Sequence, residues 1–251
     1  MIKENSASRI LHLLKKADEH PDNVKVYKVW ADVFDIDEKN QNRLNMEISR
    51  CLMLLQSEID IIIENLNFKV EDEFGCRSLL NSISDVLAIH ALMTDWKSLK
   101  IKLTREVFLS LGYCRAMLPS EEDSINIQDI EEIHRLIDSL KELLENSNLP
   151  PYTRSIIHDH IDGIIKALHE YKIKGASSLQ TAMNTIVGDI ISKEDVLKES
   201  KESEEVKLLG KVLKKTKQIT DNAVNTEKFL SSAGKLANYG AKALEIINDV
   251  M

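Results

Sequence analysis

The stretch that decides the fold is residues 40–67, which read NQNRLNMEISRCLMLLQSEIDIIIENLN. Its main apolar residues recur at intervals of three or four, the spacing that lines up side chains along one side of an α-helix: Leu44, Ile48, Cys51, Leu55, Ile59, Ile62 and Leu66. A helix with one such stripe buries it against other elements of the fold. This stretch therefore predicts one long helix with a single buried side.

The rest of the chain carries few residues that interrupt helices. Its four prolines are Pro21, Pro119, Pro150 and Pro151, and there are only eight glycines among 251 residues. Strands joined by tight turns need such residues more often. We therefore predict an all-α protein of nine or ten helices, built as an irregular multi-helix bundle with a C-terminal helical pair.

Polar stretches suggest how the chain is organised. Residues 119–126, PSEEDSIN, form a polar linker, and we place a possible sub-boundary at 119–128. Asp129 and Glu132 follow it as a plausible capping pair for the next helix. Residues 192–205 are mostly charged and favour an exposed helix or hinge. We predict a helical core over 1–192 and a region of charged hinge and amphipathic helices over 193–251.

Composition narrows the classes of function. The net charge of −8 and the pI of about 5.5 argue against nucleic acid as the main partner, because phosphate binding depends on clustered Lys and Arg. Cys51, Cys76 and Cys114 are odd in number and far apart, so they indicate neither a disulfide framework nor a zinc site. The start of the chain has no apolar signal region, and no run is long enough to span a membrane. We expect a cytoplasmic protein.

The charge reverses near the end of the chain. Residues 206–220, VKLLGKVLKKTKQIT, contain five lysines and no acidic residue, so the rest of the chain carries −13 when the whole carries −8. On a helix, one side is assigned Val206, Leu208, Leu209, Val212, Leu213 and Thr216. The lysines Lys207, Lys211, Lys214, Lys215 and Lys217 share the other.

Such a cationic amphipathic helix has three interpretations. It docks on a partner with an acidic groove, it lies on an anionic membrane, or it is an ordinary surface helix whose leucines meet the core. An acidic run precedes it, and this run could mask the lysines from within the chain: Glu194, Asp195, Glu199, Glu202, Glu204 and Glu205.

A second pattern follows in the predicted last helix, 226–249. Large and small residues alternate at intervals of four and three: Phe229, Ala233, Leu236, Gly240, Ala243 and Ile247. Small residues let two helix backbones approach closely. The seam predicts packing against another helix, either from this chain or from a second copy.

Residues with catalytic or metal-binding chemistry are sparse in the sequence. His158 and Asp162 lie one helical turn apart and are weak candidates for two metal ligands. The sequence contains no nucleophile elbow, phosphate-binding loop, zinc-protease motif or dinucleotide turn. We therefore expect no catalytic residues, no metal and no cofactor.

Residues 133–190 resemble a group of uncharacterised bacterial all-helical proteins, some of them associated with defence or toxin–immunity loci. The shared pattern is helix, break, helix, glycine, helix, and its marks here are Leu149-Pro150, the pair Leu168 and Tyr171, and Lys174-Gly175-Ala176. The resemblance covers under a quarter of the chain and includes no catalytic motif. It implies a bacterial interaction protein.

The sequence thus predicts a non-enzymatic bacterial helical interaction protein, in phage defence or toxin–immunity, that binds a protein partner or itself through helix faces at 206–247. A peripheral membrane protein that uses 206–220 is the alternative. Besides the five lysines, the expected contact residues are Leu209, Val212, Leu213, Phe229, Leu236, Gly240 and Ile247.

Overall fold

A computed structural model describes residues 4–66, 76–122 and 126–223. Over these residues the chain forms eleven α-helices, one 3₁₀ turn at Ile89–Ala91 and no strand, so the predicted all-α class is confirmed. The α-helices are α1 Ser6–Asp18, α2 Val26–Phe34, α3 Gln41–Asn65, α4 Cys76–Val86, α5 Lys97–Lys100, α6 Arg105–Met117, α7 Ile127–Glu145, α8 Pro151–Lys174, α9 Ala176–Ser192, α10 Glu194–Glu199 and α11 Glu204–Ala223. The second predicted C-terminal helix, 226–249, lies outside the described residues.

The chain forms two compact units. The first comprises the described residues up to Glu121 together with Lys172–Gly175, and the second comprises Glu122–Tyr171 and the described residues from Ala176 onward. The division at residue 121 lies within 119–128. Helices α10 and α11, which belong to the predicted region 193–251, pack on α9 within the second unit.

Helix α3 has the single buried side that its sequence predicts. It begins after Asn40, whose side chain accepts hydrogen bonds from the backbone N–H groups of Asn42 and Arg43. From Leu44 to Ile62 the predicted stripe is buried, and Leu66 packs against the same core while partly exposed. This helix contacts α1, α2 and α4 in the first unit.

Two tryptophans fill the core of the first unit. Trp30 and Trp96 are fully buried and meet edge to face, with ring centroids 5.8 Å apart. Backbone hydrogen bonds fix the segments that carry them, since Trp96 N–H donates to the Val24 carbonyl at 2.7 Å and Val26 N–H donates to the Thr94 carbonyl at 3.0 Å. Both rings are core residues.

A buried ion pair also holds the first unit together. The guanidinium of Arg9 lies 3.3 Å from a carboxylate oxygen of Glu58 and 2.8 Å from one of Glu121. Its Nε–H donates to the Ile173 carbonyl at 2.9 Å. Arg9 and Glu58 are both buried, so each depends on the other for its charge to be compensated.

The second unit is built from α7, most of α8, and α9 to α11. Its core is aliphatic, and α11 packs against both α7 and α9. Gly175 separates α8 from α9 with a φ of 66°, a left-handed conformation that glycine adopts without steric cost.

Candidate partner-binding surface

Helix α11 holds all of the predicted contact residues that the structure describes. The Ser203 hydroxyl accepts a hydrogen bond from Val206 N–H at 3.2 Å near the start of the helix, and Glu204 and Glu205 occupy its first turn. Negative charge at this end is favourable because the N-terminus of a helix carries a partial positive charge. The helix is therefore well anchored where the cationic segment begins.

The apolar side of α11 belongs to the core of the second unit. Leu209, Val212 and Leu213 are fully buried. We expected these three residues at a contact surface, and this expectation needs correction, because α7 and α9 pack against the helix and remove its apolar side from solvent. They can meet a partner or a membrane only if α11 leaves the unit.

Two of the five lysines, Lys215 and Lys217, form ion pairs with carboxylates of the second unit. Lys215 lies 2.8 Å from an oxygen of Asp129 and pairs with Glu132 as well, both on α7. The hydrogen bonds to these carboxylates raise the pKa of Lys215 above its usual value. Lys217 is buried and donates to the Asp221 carboxylate at 2.6 Å. These lysines stabilise the unit and do not present free charge.

The other three lysines form one exposed row, which we call the lysine ridge: Lys207, Lys211 and Lys214. Lys207 pairs with Glu202 at 2.7 Å, whereas Lys211 and Lys214 have no ion-pair partner in the part of the chain that the structure describes. Gln218 continues the row by one turn. From Lys207 to Gln218 the row is about 16 Å long at the rise of an α-helix.

The remaining predicted contact residues lie outside the described residues: Phe229, Leu236, Gly240 and Ile247. The helical seam to which they were assigned stays a prediction.

The predicted metal ligands do not come together with a third group. His158 and Asp162 are both exposed on α8. Within residues 4–66, 76–122 and 126–223, no three His, Cys, Asp or Glu side chains are arranged to hold a metal ion.

The neighbouring histidine, His160, has the more unusual environment. It is 3% exposed, and its Nε2 lies 2.9 Å from an oxygen of Asp189 on α9, which also accepts from Lys193 at 2.9 Å. Burial lowers the pKa of His160, and Asp189 opposes this only in part. Burial alone would raise the pKa of Asp189, but the hydrogen bonds from Lys193 and His160 outweigh it and hold that pKa low.

This cluster joins α8 to α9 and leaves little room for a substrate at the imidazole. The pattern of the sequence gives no indication of this pair. Asp189 lies on the next helix, so only the tertiary packing of α8 on α9 could reveal the pair.

Comparison with known proteins finds no matching protein family, no similar curated protein and no similar solved structure. The resemblance of residues 133–190 to bacterial defence and toxin–immunity proteins therefore stays a prediction. None of the described helices is both long enough and apolar enough to cross a membrane.

Proposed function

We propose that this protein is a non-enzymatic helical interaction protein that binds an acidic surface of a protein partner through the lysine ridge. The observation that carries this proposal is the row of three exposed lysines on a helix whose opposite side is buried. A helix anchored in this way holds the charges in fixed relative positions.

The electrostatics of the chain support a specific contact. The protein carries a net charge of −8, so the molecule as a whole repels an acidic partner. A local cationic row reverses this repulsion at one place, which steers the partner into one orientation and raises its association rate. Lys211 and Lys214 contribute most, because neither is paired with a carboxylate among the described residues.

The biological setting is part of the proposal. The resemblance of residues 133–190 supports a bacterial protein of phage defence or of a toxin–immunity system, acting in the cytoplasm. In such a setting the protein acts by occupying a surface of its partner, without chemistry of its own.

A membrane surface is the weaker candidate for the same ridge. A helix that lies in a membrane interface inserts its apolar side among the lipids. In α11 that side is buried against α7 and α9, so only the lysines are available to anionic lipid. Attraction of about 1 kcal/mol for each lysine near the surface gives weak and salt-sensitive binding.

The test compares three forms of the full chain as bait in lysate of the source organism: wild type, K211E/K214E, and the control K28E/K97E. Lys28 and Lys97 are exposed in the first unit, so the control makes the same change in net charge away from the ridge. We expect wild type and control to retain the same protein in stoichiometric amount and K211E/K214E to lose it. Equal capture by all three forms, or no captured protein, would contradict the proposal.

The same proteins are mixed with vesicles of anionic phospholipid. We expect no flotation of wild type at physiological salt. Flotation that K211E/K214E abolishes would replace the protein partner with a membrane surface.

A further inference from the structure

A second surface lies in the first unit, between α1 and α6. The side chain of Asn5 caps α1 and donates to the carbonyls of Arg115 and Pro119, each at 3.2 Å. The start of α1 therefore lies beside the end of α6, and the two helices run antiparallel. An open groove of about 740 Å³ runs between them.

Apolar side chains form the floor and part of the wall of the groove. Leu11 and Leu103 are buried beneath it, and Phe108 is half-buried in its wall. Leu109 and Tyr113, one turn apart on α6, are 61% and 43% exposed. Met117, a further turn along, is also exposed. Exposed large apolar side chains in one continuous stripe are typical of a surface that binds another protein.

The charges around the groove are mostly positive. Lys15, Arg105 and Arg115 line it together with a single acidic residue, Asp18. None of the three cations forms an ion pair with a carboxylate in the described ranges 4–66, 76–122 and 126–223. The groove therefore favours an occupant that carries negative charge beside apolar residues.

The dimensions indicate an α-helix as the occupant. Arg105 and Arg115 are ten residues apart on α6, a distance of about 15 Å along the helix axis, or nearly three turns. A concave channel between two helices accepts the convex apolar side of a third, as in other helix-in-groove complexes. A lipid surface is flat and does not follow such a channel.

Gly112 leaves open space in the groove. It lines the groove in the middle of α6, and a Cβ added there would meet nothing within 4 Å. The missing side chain leaves open space beside Leu109 and Tyr113, where a bound helix can come near the backbone of α6.

We propose that the groove between α1 and α6 binds an acidic amphipathic helix of another protein. The helix places apolar residues over Leu109 and Tyr113 and carboxylates near Arg105 and Arg115. This contact is separate from the lysine ridge, because it lies on the other unit and uses apolar burial as well as charge.

The probes for this proposal are three fluorescein-labelled, side-chain-stapled helical peptides of equal length. They share one leucine stripe, and their polar positions carry glutamate, glutamine or lysine. Fluorescence anisotropy with the full-length protein measures the binding of each. We expect the glutamate peptide to bind at least ten-fold more tightly than the lysine peptide, with the glutamine peptide between them.

Two variants locate the contact. G112W fills the open space in the groove. G188W is its control, because Gly188 is exposed on α9 and, like Gly112, has nothing within 4 Å of its added Cβ. We expect G112W to weaken binding of the glutamate peptide at least ten-fold while G188W leaves it unchanged. R105E/R115E reverses the order of the peptides, whereas K28E/K97E preserves it. Circular dichroism confirms that each variant remains helical.

Several results would overturn the proposal. They are failure of the glutamate peptide to bind, binding of the lysine peptide with equal affinity, and unchanged binding in G112W. A homodimer in light scattering that G112W dissociates would assign the groove to a second copy of this chain and overturn it as well. K211E/K214E should bind the glutamate peptide as wild type does, so this test and the test of the lysine ridge can fail independently.

Discussion

At the scale of single residues, His160 links the stability of the second unit to pH. The carboxylate of Asp189 accepts from Nε2, so Nε2 carries the proton and Nδ1 is left buried without a hydrogen-bond partner. A second proton on Nδ1 would create a buried charge that the Asp189 carboxylate compensates only in part, and the new N–H would have no acceptor. This explains physically why the pKa of His160 lies below its usual value.

The direction of the pH effect follows from this lowered pKa. As pH falls below about 6.5, the unfolded chain binds a proton at His160 before the folded chain does, so the contribution to stability that is present above that pH is progressively lost. Hydrogen exchange of the α9 amides measures the free energy of opening of this helix. We expect this free energy to fall between pH 7.5 and 5.5, by at most about 1.4 kcal/mol per pH unit for one proton.

The variants H160Q and H158Q separate the effect of His160 from the titration of other groups in the protein. H160Q removes the titrating ring and leaves an amide N–H that can donate to Asp189, so its stability should depend less on pH than that of wild type. H158Q changes an exposed histidine and should keep the slope of wild type. Equal slopes for all three proteins would contradict the role of His160.

Two glycines of the second half of the chain should respond oppositely to alanine. Gly175 has a φ of 66°, where a Cβ costs about 1–2 kcal/mol. Gly188 lies inside α9 with open space at its Cβ position, and alanine there should stabilise the helix by about 0.5–1 kcal/mol. Thermal unfolding followed by circular dichroism should place G175A below wild type and G188A above it. The same sign for both changes would contradict the assigned backbone conformations.

At the scale of elements, buried and exposed residues lie close together along α11. Leu209→Ala should reduce the free energy of unfolding of the second unit by about 2–5 kcal/mol, because it leaves a cavity in the aliphatic core. Lys211→Ala should change it by less than about 0.5 kcal/mol, because Lys211 is exposed.

Hydrogen exchange of the α11 amides measures the free energy of unfolding of the second unit in both variants. Tryptophan fluorescence is unsuitable, since Trp30 and Trp96 both lie in the first unit. A small effect of Leu209→Ala would mean that the apolar side of α11 is available for docking after all.

Periodicity predicted helices well where one side is strongly apolar. Helix α3 begins and ends within two residues of the range 40–67 that its apolar stripe predicts. The predicted capping pair Asp129 and Glu132 was wrong, because Asn126 caps α7 and the two carboxylates bind Lys215 instead. Local sequence contains no signal for a lysine so much later in the chain.

The groove between α1 and α6 was missed for a related reason. The sequence of α6, REVFLSLGYCRAM, has apolar residues around most of the helix, so spacing alone does not distinguish Val107 and Leu111, which are buried, from Leu109 and Tyr113, which are exposed. Which side faces solvent depends on where α1 and α4 pack. Tertiary packing decides this, and the pattern of the sequence does not.

At the scale of the whole molecule, each of the two units presents one candidate surface. The first unit carries the apolar groove with three cations, and the second carries the lysine ridge. Both surfaces are locally cationic on a chain of net charge −8. A protein organised in this way is suited to binding acidic partners, and the proposed function requires that a partner occupy the lysine ridge in the cell.

Photocrosslinking in cells of the source organism tests that claim most directly. Benzoylphenylalanine replaces Gln218, which is exposed at the end of the ridge, and in a control it replaces Lys28, which is exposed in the first unit. We expect irradiation to give one covalent adduct of higher mass at position 218 and none at position 28. No adduct at position 218, or the same adduct at both positions, would contradict the proposal that the ridge of α11 binds a protein partner.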